Sequence, residues 1–190
     1  MNPPDDSPVA ALAAAIEESA LRCAEPLQEW MDFPTDEERK EKWLRIIWEH
    51  IFLFMHLVNR NAYGRLGEEI HKRLMGELAP KVVLPLAQEL SEGRPDGFRQ
   101  RIAEEAFEGL NQSEIEYAKC EAFLAEPILT GKSLVSVFAR KVGRLAGGSL
   151  QPAQLAGFVR RTVEAYKSLT VRERMDDIAG YLQSEKPPAG

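Results

Sequence analysis

The segment Trp43 to Val58, WLRIIWEHIFLFMHLV, constrains this chain more than any other stretch of it. Wound as a helix at 100° per residue, its apolar side chains cover roughly 260° of the circumference. What remains is a narrow polar strip of Arg45, Glu49, His56 and Arg60. A helix with so little polar surface has to be enclosed by other helices. The pattern therefore predicts a compact all-α, single-domain bundle of about seven to nine helices around a central Trp43–Tyr63 helix. A membrane span is not expected, because the uncharged runs are short and Glu49 would be costly at the centre of a bilayer.

The remaining segments fit the helical template, and none shows sustained period-two alternation. A first helix is expected from Pro8, capped by Ser7, with Leu12, Ile16, Ala20 and Cys23 on its apolar stripe. Thr35 and Glu38 form a capping-box pattern at the start of the central helix, with Gly64 and Gly67 marking a turn or break after it. Pro80 reads as the first turn of a separate helix, and Ser113 with Glu116 reads as the start of another. Leu134, Phe138, Val142 and Leu145 make a stripe ended by Gly147 and Gly148. Two more stripes follow, on Leu155–Tyr166 and on Val171–Leu182. Residues 1–7 and 184–190 read as disordered tails around one domain over 8–183. Its best sub-boundary is the loop over 91–97, with Glu126–Gly131 as the second choice.

Charge is unevenly placed. Nine basic residues and two acidic ones lie between Ile128 and Arg174, a net +7 inside a chain whose formal charge is −6. Arg140, Lys141, Arg144, Arg160 and Lys167 are the candidate contacts for an anionic or protein partner. The same face could meet nucleic acid through phosphates. That reading is the less favoured one, since the chain is acidic overall and has no helix-turn-helix register. The acidic half of the same chain is an equally good partner for these charges.

Glu49, His50 and His56 are the candidate polar site in the bundle core. His50 falls in the apolar arc, where it is expected to be buried and to donate to a carbonyl or carboxylate of a neighbouring helix. His56 falls on the polar strip and is expected to stay partly solvated. Arg45 and Glu49 are spaced to pair at i,i+4. Glu49 and His56 share a face but lie about 10.5 Å apart along the helix, too far to ligate one metal ion. A second Glu-x-x-His to match Glu68–His71 is missing, so no metal site and no cofactor are expected. Thr130–Ser133, TGKS, ends like a phosphate-binding loop, but Glu126 stands where that loop needs glycine. Ser133 is better read as an N-cap.

Cys23 and Cys120 lack metal or disulfide spacing and read as free thiols of a reducing compartment. With no signal-peptide pattern at the N-terminus, the sequence points to the cytoplasm. No nucleophile constellation appears. The leading functional expectation is therefore a non-enzymatic helical module for protein–protein interaction or self-association, using any apolar face of the central helix its own chain leaves uncovered. A small-molecule or enzymatic site at Glu49, His50 and His56 is the alternative.

Overall fold

The computed structural model describes residues 5–31, 33–120, 123, 132–148 and 150–184. They form eight helices and no strand: α1 (Pro8–Ala24), α2 (Leu27–Trp30), α3 (Asp36–Leu66), α4 (Glu68–Leu90), α5 (Phe98–Tyr117), α6 (Leu134–Leu145), α7 (Pro152–Ser168) and α8 (Val171–Ser184). The all-α bundle expected from the sequence is the fold observed. Of the two tails, residues 1–4 and 185–190 lie outside the described residues. Asp5 accepts from the Ser7 N–H and pairs with Lys81, which ties the start of α1 to α4.

α3 is the spine. Thr35 Oγ1 accepts from the Glu38 N–H at 3.1 Å, and Asp36, Glu37 and Glu38 favour the positive end of the helix dipole. The helix runs for 31 residues, about 46 Å at 1.5 Å per residue. Every residue from His50 to Val58 is buried, whichever way its side chain points. α1, α4, α5, α6 and α8 pack around it. Trp43 Nε1 donates to the Ala24 carbonyl at 3.3 Å, satisfying an acceptor left over at the end of α1. Gly64 does not interrupt the helix. The break comes at Gly67, whose φ of +73° reverses the chain into α4.

Two boundaries differ from those expected. α4 continues through Pro80 and Pro85 as one helix. Each interior proline costs a helix about 3 kcal/mol. The stripe Leu74, Leu78, Val82 and Leu86 crosses both prolines and is buried throughout, and each such side chain contributes about 1.5–3 kcal/mol on burial. Burial of the stripe outweighs the breaks. α5 likewise runs unbroken past Ser113, which caps nothing. Its buried positions Ala103, Ala106, Leu110, Ser113 and Tyr117 alternate by three and four, the spacing of one continuous helix face.

The remaining ends follow the sequence. Ser133 Oγ accepts from the Ser136 N–H at 3.2 Å, and Gly147 and Gly148 close α6 with φ of +67° and +71°. α7 and α8 meet at Thr170, the one described residue other than glycine with positive φ, +47°. α4 and α5 pack against each other across the 91–97 loop, around a small second cluster of Val83, Ala87, Ala103 and Ala106. No helix is long and apolar enough to cross a membrane, among the described residues.

Candidate functional site

The polar strip of α3 is exposed at its two ends, Arg45 and Arg60. α5 and α6 close over its middle. Lys141, on α6, reaches Glu49 at 3.2 Å and Glu116 at 2.9 Å, and donates to Ser113 Oγ at 3.1 Å. Its ammonium also lies 4.9 Å from the centre of the Tyr117 ring. The Tyr117 hydroxyl donates to Glu49 Oε2 at 3.3 Å. One lysine thus serves two carboxylates, a hydroxyl and an aromatic face, with its side chain 19% exposed. Burial pushes the Glu49 carboxyl above its ordinary range, and Lys141 opposes that rise only in part. Tyr117 is fully buried, and burial together with the adjacent Glu49 raises its phenol well above 10.

Beside this cluster the surface opens into a cleft of about 570 Å³ between α3 and α5, within the range of small-molecule sites. Its floor is Trp48 and Phe52, whose rings stack 6.1 Å apart at 19°. Phe98, Ile102 and Leu90 form further apolar walls. Glu41, Arg45, Arg101 and Glu105 sit around the cleft, and Glu49 lines it from the spine. Glu49 Oε2 is taken up by Tyr117 and Lys141. Glu49 Oε1 has no protein partner among the described residues. Gly109 lets α5 come this close: a Cβ there would stand 2.8 Å from Phe52 Cζ.

His56 lies on the far side of Tyr117, with ring centres 5.5 Å apart. It is 2% exposed, so the partial solvation expected from its place on the strip is not observed; α5 covers it. Its Nδ1 donates to Glu114 Oε2 at 2.8 Å, and the Asn59 amide donates to the same oxygen at 3.1 Å. Asn59 Oδ1 in turn accepts from His71 Nε2 at 2.5 Å. Glu114 Oε1 and His56 Nε2 are buried with no hydrogen-bond partner among the described residues. Tyr117 therefore stands between Glu49 and His56, the two residues that the spine alone keeps apart.

His50 faces elsewhere. Its ring sits edge-on to Phe138 and Phe158, 5.0 and 5.1 Å away, inside the core. Nδ1 donates to the Ile46 carbonyl at 2.7 Å, so its acceptor is one turn back on its own helix and not on a neighbour. Nε2 lies 3.4 Å from Thr162 Oγ1. Complete burial holds its pKa down to about 4. Cys23 is buried close by, and burial raises its thiol to about 11, which makes it a poor nucleophile. The candidate trio of Glu49, His50 and His56 is thus divided between the cleft, the core and the α5 contact.

The basic candidates also separate. Lys141 is committed to the acidic residues of α3 and α5, while Arg144, Arg160 and Lys167 are exposed and Arg140 is half-buried. The basic and acidic halves of the chain meet within one molecule at Lys141. Arg45 pairs with Glu41 at 2.8 Å, not with Glu49, because Glu49 turns toward α6. No group of three or more His, Cys, Asp or Glu is placed to hold a metal ion, among the described residues. Glu126, Thr130 and Gly131 lie outside the described residues.

No local motif marks Tyr117 or Glu114, and Ser113 reads as the cap of a separate helix. The signal for them was the three-four spacing of α5, which carries two hydroxyls on a face that is otherwise apolar. No protein-family model, curated protein or solved structure matches this chain.

Proposed function

We propose that this protein is a binding module for a small organic molecule, held in the α3–α5 cleft with a cationic or donor group on Glu49 and its apolar body on Trp48 and Phe52. The observation that carries this reading is Glu49 Oε1, a carboxylate oxygen with no protein partner among the described residues, on a residue lining a cleft with an aromatic floor. The cleft carries three carboxylates, Glu41, Glu49 and Glu105, against the guanidiniums of Arg45 and Arg101. Arg45 is engaged by Glu41, and Arg101 stacks on Phe98 at 5.0 Å. Glu105 has no ion-pair partner among the described residues and, with Glu49 Oε1, supplies the attraction for a cation, to which the Trp48 face adds a cation–π contribution.

Interaction with a partner helix was the leading expectation, and it rested on an uncovered apolar face of the spine. Most of that face is buried under the chain's own helices; the part left half-exposed is Trp43, Leu44 and Trp48, and Leu44 and Trp48 line this same cleft. Phenethylamine is the simplest probe of the cleft. Its addition is expected to shift the Trp48 indole N–H resonance, assigned through Trp48→Phe, saturably. Glu49→Gln is expected to weaken the effect severalfold. An unmoved Trp48 resonance, or equal binding of phenylacetate, would count against the assignment.

A further inference from the structure

A second cleft, of about 400 Å³, lies where α3 meets the turn between α7 and α8. It differs in sign from the first. Arg60, Lys167 and Arg172 line it, with Glu173 as the one acidic lining residue among those described. None of the three cations makes an ion pair with a described residue; Arg60 has only a long contact, 3.5 Å, to the Cys120 carbonyl. Their surroundings are set by the fold. Arg65 donates to the Arg172 carbonyl at 2.7 Å, fixing the first turn of α8 against α3.

The hydroxyl of Tyr166 completes the set. The Asn61 amide donates to it at 2.7 Å, and also to the Leu57 carbonyl at 2.8 Å. The phenol oxygen is therefore already an acceptor, and its own hydrogen has no acceptor among the described residues. A half-buried O–H with its acceptor side filled, in a cleft with three unpaired cations, lacks one kind of group: an oxyanion. Leu57 and Phe123 supply apolar wall beside it.

We infer that this cleft binds a small organic oxyanion, a carboxylate or phosphate on an apolar body, with Tyr166 donating to an anionic oxygen and Arg60, Lys167 and Arg172 supplying the charge. The site is independent of the Glu49 cleft and takes ligands of the opposite charge.

Calorimetric titration of the full chain with benzoate and with phenyl phosphate tests this, with phenol as the neutral control. Both anions are expected to bind saturably and to weaken as sodium chloride is raised, while phenol does not bind. The stronger of the two shows which oxyanion the site prefers. Tyr166→Phe deletes one donor to a charged group and is expected to weaken binding about tenfold or more. Arg172→Gln, at an exposed position, is expected to weaken it severalfold without lowering the melting temperature. The inference is overturned if neither anion saturates, if phenol binds as well as they do, or if Arg172→Gln and a folded Tyr166→Phe both bind as the parent does. Glu49→Gln should leave benzoate binding unchanged, which separates a failure here from a failure of the first cleft.

Discussion

Gly109 on α5 and Phe52 on α3 touch so closely that a methyl group has no room between them. A Cβ at 109 would lie 2.8 Å from Phe52 Cζ and 2.9 Å from Cε2. Alanine is worth about 1 kcal/mol over glycine in a helix interior, and overpacking costs about 1–3 kcal/mol. Gly109→Ala is therefore expected to destabilise the fold, or at best leave it unchanged, and to disturb the Trp48–Phe52 floor. Gly76 is the control: it is helical, exposed, and a Cβ there meets nothing within 4 Å. Gly76→Ala should add about 0.5–1 kcal/mol. Urea denaturation of the two variants measures the contrast.

His50 makes the fold sensitive to acid. Its pKa is about 4 when folded, against an ordinary 6.5, so the folded state favours the neutral ring. That contribution is complete above pH 6.5 and is lost as pH falls toward 4, amounting to about 3 kcal/mol. Denaturation midpoints of the parent and of His50→Gln, taken at intervals from pH 7.5 to 4, should converge as the pH drops. Parallel curves would show that His50 does not titrate in this window.

Lys141 holds two carboxylates, and its removal leaves both without a cation. Lys141→Met is expected to cost about 2–4 kcal/mol, since Glu49 stays largely buried. Adding Glu49→Gln should restore part of that loss, because the neutral amide needs no counter-charge. Glu49 alone acts in the opposite sense to His50. Its raised pKa favours the protonated acid in the fold, so its contribution is present below the ordinary carboxylate range and is lost as pH rises through the raised value. A double-mutant cycle at neutral pH and again near pH 4 should show the coupling shrink in acid.

Thr170 carries the strain of the α7–α8 turn. Left-handed backbone costs an ordinary residue about 1–2 kcal/mol, and a β-branched one fits it poorly. Thr170→Gly relieves this while adding chain entropy to the unfolded state. A net gain of about 0.5 kcal/mol is expected, read from the melting temperature.

Most of the fold was legible because helix starts and stripes are local. Ser7, Thr35 and Ser133 cap the helices their neighbours announce, and the apolar girth of α3 forecast its central place. Two kinds of feature were not local. Pro80 and Pro85 look like breaks until the burial of Leu74 through Leu86 is known, and that depends on the helices around α4. The site was hidden for the same reason. Glu49 was visible as a carboxylate on a buried helix, but Lys141 lies 92 residues away in a basic run that reads as one solvated face. Nothing in its own segment distinguishes Lys141 from Arg144, which is exposed. Only the packing of α6 on α3 and α5 separates them.

The reach of α3 also bears on how the chain acquires its structure. α3 packs on α1, α2, α4, α5, α6 and α8, and meets α7 through contacts such as His50–Phe158. Every other helix is thus anchored to an element encoded before residue 67. A ribosome that has released only the first half of the chain presents this helix with its α5 and α6 faces still wet. Sealing of the interior waits for the last hundred residues. On either side of the loop over 91–97, α4 and α5 pack on each other and both on α3.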